Sequence, residues 1–248
     1  MRQMLLIVLL FSSAHPSADA MFQSIEDAAH WFTFYYKNPE PAKIPPAIKY
    51  MSDARLLDDN SAIPPIFGFL AGTFRNNPEK VSAWVEELSS LREPHLSVVL
   101  FGLWYADLPD SRKHVYAILD VHPQIKEQYE FFYTRSPTKV EDIPLEKGAW
   151  VLDALWGTFM ATGEKAPVVR IMTTLPWIDV KGDANRLLVG GAARWSLTSN
   201  AAQHEKVLEI CEDEVARQPD HIAEKLHEVI ANAQQQLQSQ NSEALPSR

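Results

Sequence analysis

The stretch Asn77-Pro78-Glu79-Lys80-Val81-Ser82-Ala83-Trp84-Val85-Glu86-Glu87-Leu88-Ser89-Ser90-Leu91 decides the fold. Val81, Trp84, Val85, Leu88 and Leu91 recur at steps of three and four, which puts them on one side of an α-helix and leaves the glutamates on the other. Asn77 stands where a helix cap belongs. Pro78 falls at the first helical position, where its missing N–H removes no hydrogen bond. The spacing predicts a helix over 78–91.

The same periodicity runs outward in both directions. Ile222, Leu226, Val229, Ile230 and Ala233 form another stripe behind a capping Asp220, predicting a helix over 221–237. Further helices are predicted over 24–37, 40–52, 64–76, 94–106, 110–120, 123–134, 145–162, 165–175, 184–199 and 201–217. Prolines at 39, 64, 78, 94, 109, 123, 137, 167, 176 and 219 fall at or near the joints, where a residue that breaks helix interiors belongs. Ser97–Phe101 and Val115–Leu119 have strand-like composition, but helical neighbours and the lack of hairpin turns place them in helices. The fold class is therefore all-α: one domain over 21–233, built as stacked helical hairpins in a short irregular α-solenoid or a multi-helix bundle. From Gln234 the chain is rich in Gln, Ser and Asn and loses apolar periodicity after Leu237, so 234–248 is expected to be a frayed or disordered tail.

A weak repeat organises the chain. Asn38-Pro39-Glu40 recurs as Asn77-Pro78-Glu79, each after an aromatic-rich helix. Gly72-Thr73-Phe74 followed by Glu79-Lys80 matches Gly157-Thr158-Phe159 followed by Glu164-Lys165 at the same internal spacing, and Glu205-Lys206-Val207 echoes Glu79-Lys80-Val81. On these four hairpins the chain loosely resembles the α-solenoid repeat proteins of the tetratricopeptide kind. The 34-residue period and the Trp, Leu-Gly, Tyr, Ala, Phe, Pro pattern of that family are absent. The resemblance implies helical hairpins side by side and a surface for holding another protein.

Residues 1–20 have the order of a signal peptide: Arg2, the apolar run Met4–Phe11, then Ala18-Asp19-Ala20. The run is too short for a stable membrane span, which takes about 20 apolar residues. The only cysteine, Cys211, lies far from it, which excludes a lipid anchor there. Export to the periplasm or the exterior is expected, the product beginning at Met21. The net charge of −9 and the absence of a basic run argue against nucleic acid as a partner. A lone cysteine forms no internal disulfide, so core burial must hold the fold. Cys211 shares a stripe with Val207, Leu208 and Val215 and reads as a small core residue.

No local motif supplies chemistry. Neither His204-Glu205 nor His227-Glu228 is followed by the second histidine of a zinc helix. His221, Glu224 and Glu228 share one helical face and read either as a metal-binding trio or, in preference, as a solvated polar face. Gly157–Lys165 has the wrong spacing for a phosphate loop, and no nucleophile elbow occurs. No residue is assigned to catalysis, a cofactor or a metal. Asp153 and Arg170 lie among apolar neighbours and either approach each other across the 145–162 and 165–175 hairpin or occupy narrow exposed strips. Most tryptophans read as core; Trp104, with Tyr105, and Trp177 are the candidates for exposure.

The functional expectation is an exported helical scaffold that binds another protein or peptide, a basic one given the acidic chain. The alternative is a hydrolase or small-ligand-binding protein with a site assembled from loops 107–110 and 134–144.

Overall fold

The computed structural model describes residues 21–243; the expected signal peptide at 1–20 and the last five residues of the expected tail lie outside the described residues. Among the described residues the chain is all α-helix and short 3-10 turns, with no strand. No helix among them is long and apolar enough to cross a membrane.

Three helices make the centre: α3 (Ile63–Asn76), α5 (Glu93–Ala106) and α8 (Trp150–Thr162). Ile66 through Phe74 of α3 are buried without a break, as expected of a helix surrounded by others rather than laid on a surface. α3 packs between α5 and α8. Close approach depends on small residues. A Cβ on Gly68 would sit 2.0 Å from the Ala154 carbonyl oxygen, and one on Gly157 would sit 1.9 Å from that of Pro65. Thr158 Oγ1 lies 3.1 Å from the Gly68 carbonyl and ties the two backbones together. The repeated Gly-Thr-Phe motif thus marks two helices that pack on each other.

The remaining helices flank this centre. They are α1 (Ile25–Phe34), α2 (Ile44–Asp53), α4 (Val81–Leu88), α6 (Ser111–Val121), the short α7 (Phe131–Thr134), α9 (Lys165–Met172), α10 (Ala184–Gln203), α11 (Glu205–Val215) and α12 (Asp220–Glu243). Consecutive elements pack as hairpins: α5 with α6, α8 with α9, α10 with α11 and α11 with α12. Cys211 is buried in this core, and burial pushes its thiol up to about 12.

Several expected boundaries differ, each for a local reason. Residues 78–80 form a 3-10 turn and the α-helix starts at Val81. Asn77 does not cap it: its Nδ2 donates to the Thr73 carbonyl, closing α3 instead. The expected helix over 123–134 is two single turns, 123–125 and 127–129, followed by α7. Ile125, Tyr129 and Phe132 are all buried, so the periodicity picked the core-facing residues although tight turns deliver them. The helix expected from 145 starts at Trp150, because Gly148 at φ 123° interrupts the chain in a conformation closed to L side chains. Asp220 is the first helical residue of α12, its charge at the helix's positive end, rather than a cap before it.

The expected fraying from Gln234 is also corrected, since α12 continues to Glu243. Leu237 packs against the core and Gln234 Nε2 donates to Glu212 on α11, while glutamine is itself a good helix former.

Candidate functional site

A concavity lies at the C-terminal end of α5. Trp104, Tyr105 and Phe131 wall a cavity of about 280 Å³. The loop following α7 closes it, and that loop is firmly held. Arg112 on α6 donates to the Arg135 carbonyl at 2.7 Å, and the Thr138 amide donates to the Trp104 carbonyl at 3.3 Å. Arg75 on α3 grips Glu141 through both guanidinium nitrogens, at 3.1 and 3.0 Å, with both side chains largely buried. Val140, Ile143 and Leu145 plug into the core. A bidentate pair plus three apolar anchors makes this segment a fixed wall.

Arg135 and Lys147 stand exposed at the cavity, and Asp142 accepts a long hydrogen bond from the Thr138 hydroxyl at 3.4 Å. Burial raises the Tyr105 phenol, with Arg135 partly opposing it. No histidine lines this cavity. The two loops expected to share a site, 107–110 and 134–144, line different concavities. The second loop builds the cavity, whereas Pro109 belongs to a separate shallow depression with Arg112, Lys113 and Tyr116.

A second constellation was invisible in the sequence. Ser52 at the end of α2, Asp58 in the turn that follows and His95 in the first turn of α5 are joined in series. Ser52 Oγ lies 2.7 Å from His95 Nδ1, and His95 Nε2 lies 2.8 Å from Asp58 Oδ1. Hydrogen bonds from Arg55 and His95 hold the Asp58 carboxyl down to about 2, and Arg92 contacts it at 3.0 Å. The residue types match a serine hydrolase triad. Access does not: Ser52 is 3% exposed and His95 is 1% exposed, so no carbonyl carbon can approach Oγ. The geometry pins α2 to α5. No local signature reveals it, because the three residues are spread over the chain from 52 to 95 without a motif.

Two further ionisable groups, His204 fully and Asp153 partly buried, bear on stability. His204, at the break between α10 and α11, is fully buried against Phe34, Tyr36 and Phe159. Its Nδ1 lies 3.2 Å from the Tyr36 hydroxyl, and its Nε2 is buried without a partner. Burial first, then the charge of Lys37, pushes it down to about 4. Burial alone pushes the Asp153 carboxyl up to about 6. Of the two readings of Asp153 and Arg170, the pair is not made: no cation contributes at Asp153, Arg170 Nε is buried without a partner, and each residue is partly exposed on its own helix. Counting from the turn at Gly163, Asp153 lies three residues farther along its helix than Arg170 lies along its own. That is an axial offset of about 4.5 Å at 1.5 Å per residue.

One face of α10 is open. Leu187, Leu188 and Trp195 are 45%, 70% and 46% exposed, and nothing lies within 4 Å of a Cβ built on Gly191. Leu188, Gly191 and Trp195 follow steps of three and four, so they form one stripe. The opposite side of the helix is tightly seated, with Gly190 against the backbone of Trp177 and Ile178. The exposed tryptophan is thus Trp195. Trp104, expected near the surface, is 2% exposed because the 135–139 loop covers it, and Trp177 is half-buried under Arg186. His221, Glu224 and Glu228 are exposed on α12, and Glu228 faces Lys225. No group of three or more His, Cys, Asp or Glu among the described residues is placed to hold a metal. No protein family, curated protein or solved structure matches the chain.

Proposed function

We propose that this chain is an exported helical binding module that holds another protein along the outer face of α10. The observation that carries it is the Leu187, Leu188 and Trp195 stripe around Gly191, three large apolar side chains turned to water on one helix. Burying them against a partner removes apolar surface from water, and Gly191 leaves a notch for an incoming side chain. The occupant we favour is an amphipathic helix of a basic protein. A chain of net charge −9 attracts such a partner over distance, while the stripe supplies the contact. Residues 1–20 support action outside the cytoplasmic membrane.

The test is cross-linked capture from the extracytoplasmic fraction with the wild-type chain, Leu188→Asp and Val121→Asp. Val121 on α6 is 65% exposed and serves as the apolar control away from α10. The expected result is a basic protein retained by wild type and Val121→Asp and lost by Leu188→Asp. Retention by Leu188→Asp would overturn the reading. So would self-association of the wild-type chain abolished by Leu188→Asp, which would make the stripe an interface between copies.

A further inference from the structure

We propose that the cavity at the end of α5 binds a small planar aromatic carboxylate. The site is distinct from the open face of α10, although Asn185 and Arg186 at the start of that helix hold the neighbouring Glu146, and it is built from two complementary halves. The inner half is apolar and aromatic. The half-buried Tyr105 and Phe131 offer the accessible ring surface, backed by rings that are packed behind them: Phe101 stacks on Phe131 at 5.9 Å and on Tyr105 at 6.3 Å, and the buried Trp104 meets Phe131 edge-on at 6.3 Å. Such a wall accepts a flat ring by stacking or edge contact. The volume of about 280 Å³ holds one small ring system and its substituent, at the low end of the roughly 300–1,000 Å³ typical of ligand pockets.

The outer half is cationic against the trend of the whole chain. Arg135 and Lys147 both line the mouth, and among the described residues neither side chain makes an ion pair, whereas Arg75, Arg92 and Arg186 each have a carboxylate. An unpaired guanidinium beside an aromatic wall offers the planar fork that matches a carboxylate. The Ser136 hydroxyl accepts from Arg112 and keeps its own proton for a second contact. Asp142 is the one carboxylate at the rim, so the three charged side chains sum to a single positive charge. That selects a monoanion over a dianion or a cation.

The frame is set before any ligand arrives. Thr138, Arg135 and Glu141 are tied to α5, α6 and α3 respectively, and Trp150 Nε1 donates to the Lys147 carbonyl at 3.0 Å. Little ordering is left to oppose binding.

The experiment is a heteronuclear NMR titration of the full chain with benzoate, benzamide and benzylamine. Benzoate should shift the amides of Trp104 and Thr138 and bind about tenfold more tightly than benzamide, with benzylamine weaker still. Arg135→Gln and Lys147→Gln replace exposed side chains and leave the fold intact; each should weaken benzoate about tenfold, and added salt should weaken it further. Leu188→Asp should leave benzoate binding unchanged, which separates this site from the α10 face. Equal affinity for benzamide, full benzoate affinity in the Arg135→Gln, Lys147→Gln double variant, or shifts confined to α10 would overturn the assignment, as would the absence of any benzoate binding.

Discussion

Asp153 and His204 should drive stability in opposite directions over one interval of pH. The Asp153 carboxyl moves from 3.8 to about 6 on folding, so between those values the folded chain holds a proton that the unfolded chain has released. Stability therefore falls as pH rises through that window. At 1.36 kcal/mol per pKa unit the ionised Asp153 destabilises the neutral protein by about 3 kcal/mol. His204 moves from 6.5 to about 4, so here the unfolded chain binds the extra proton. Its contribution is present above 6.5 and is lost as pH falls toward 4, again by about 3 kcal/mol. In the native chain these two slopes nearly cancel. Asp153→Asn should expose the histidine's slope: a protein more stable at pH 7 that loses about 3 kcal/mol relative to wild type by pH 4. His204→Gln should do the reverse, its stability relative to wild type rising as the solution is acidified. Urea unfolding followed by circular dichroism at four pH values between 7 and 4 measures both, and referring each variant to wild type removes the other carboxylates. Identical pH profiles for Asp153→Asn and wild type would refute the premise that Asp153 is ionised in a poorly solvated, unpaired position.

The helix contacts give a second contrast. Gly157→Ala drives a Cβ to 1.9 Å from the Pro65 carbonyl oxygen and should destabilise by more than about 3 kcal/mol in urea unfolding, whereas Gly191→Ala meets open space inside a helix and should stabilise by roughly 0.5–1 kcal/mol. Asp58→Asn should lower the melting temperature at neutral pH, because it weakens the ties to Arg55, Arg92 and His95. The Asp58 carboxyl is depressed on folding, so its stabilisation exists above 3.8 and is lost as pH falls toward about 2. The variant's melting temperature should accordingly converge on that of wild type in acid.

What the sequence carries well is anything repeated along one helix. Val81, Trp84, Val85 and Leu88 are all buried, as are Ile222, Leu226, Val229 and Ala233, because apolar spacing reports directly which side of a helix meets the core. It carries helix ends less well. Asn77-Pro78 looks the same whether the asparagine opens the next helix or closes the last, and the Thr73 carbonyl that decides the matter is contributed by α3. Contacts between distant segments are not carried at all. Ser52, Asp58 and His95 acquire meaning only when α2 and α5 meet, and the cover over Trp104 comes from the 135–139 loop. The α10 stripe was legible only as one more amphipathic pattern. Leu187, Leu188 and Trp195 resemble core residues until the neighbours that would bury them prove to lie on the other side of the helix.

Burial also separates binding from chemistry. A catalytic nucleophile or base must be both activated and reachable. Ser52, His95, His204 and Cys211 include the groups with the most altered surroundings, and each is 3% exposed or less. The Cys211 thiol, pushed up to about 12, is held in its unreactive protonated form. Two sets of groups that do meet solvent are of another kind: a leucine and tryptophan stripe with a glycine notch, and a guanidinium and an ammonium beside an aromatic wall. Those can desolvate a partner surface or fix an anion. The division has a direct consequence for mutagenesis. Removing a buried polar group should change stability and leave binding to the folded fraction intact, whereas Leu188→Asp or Arg135→Gln should change binding at unaltered stability.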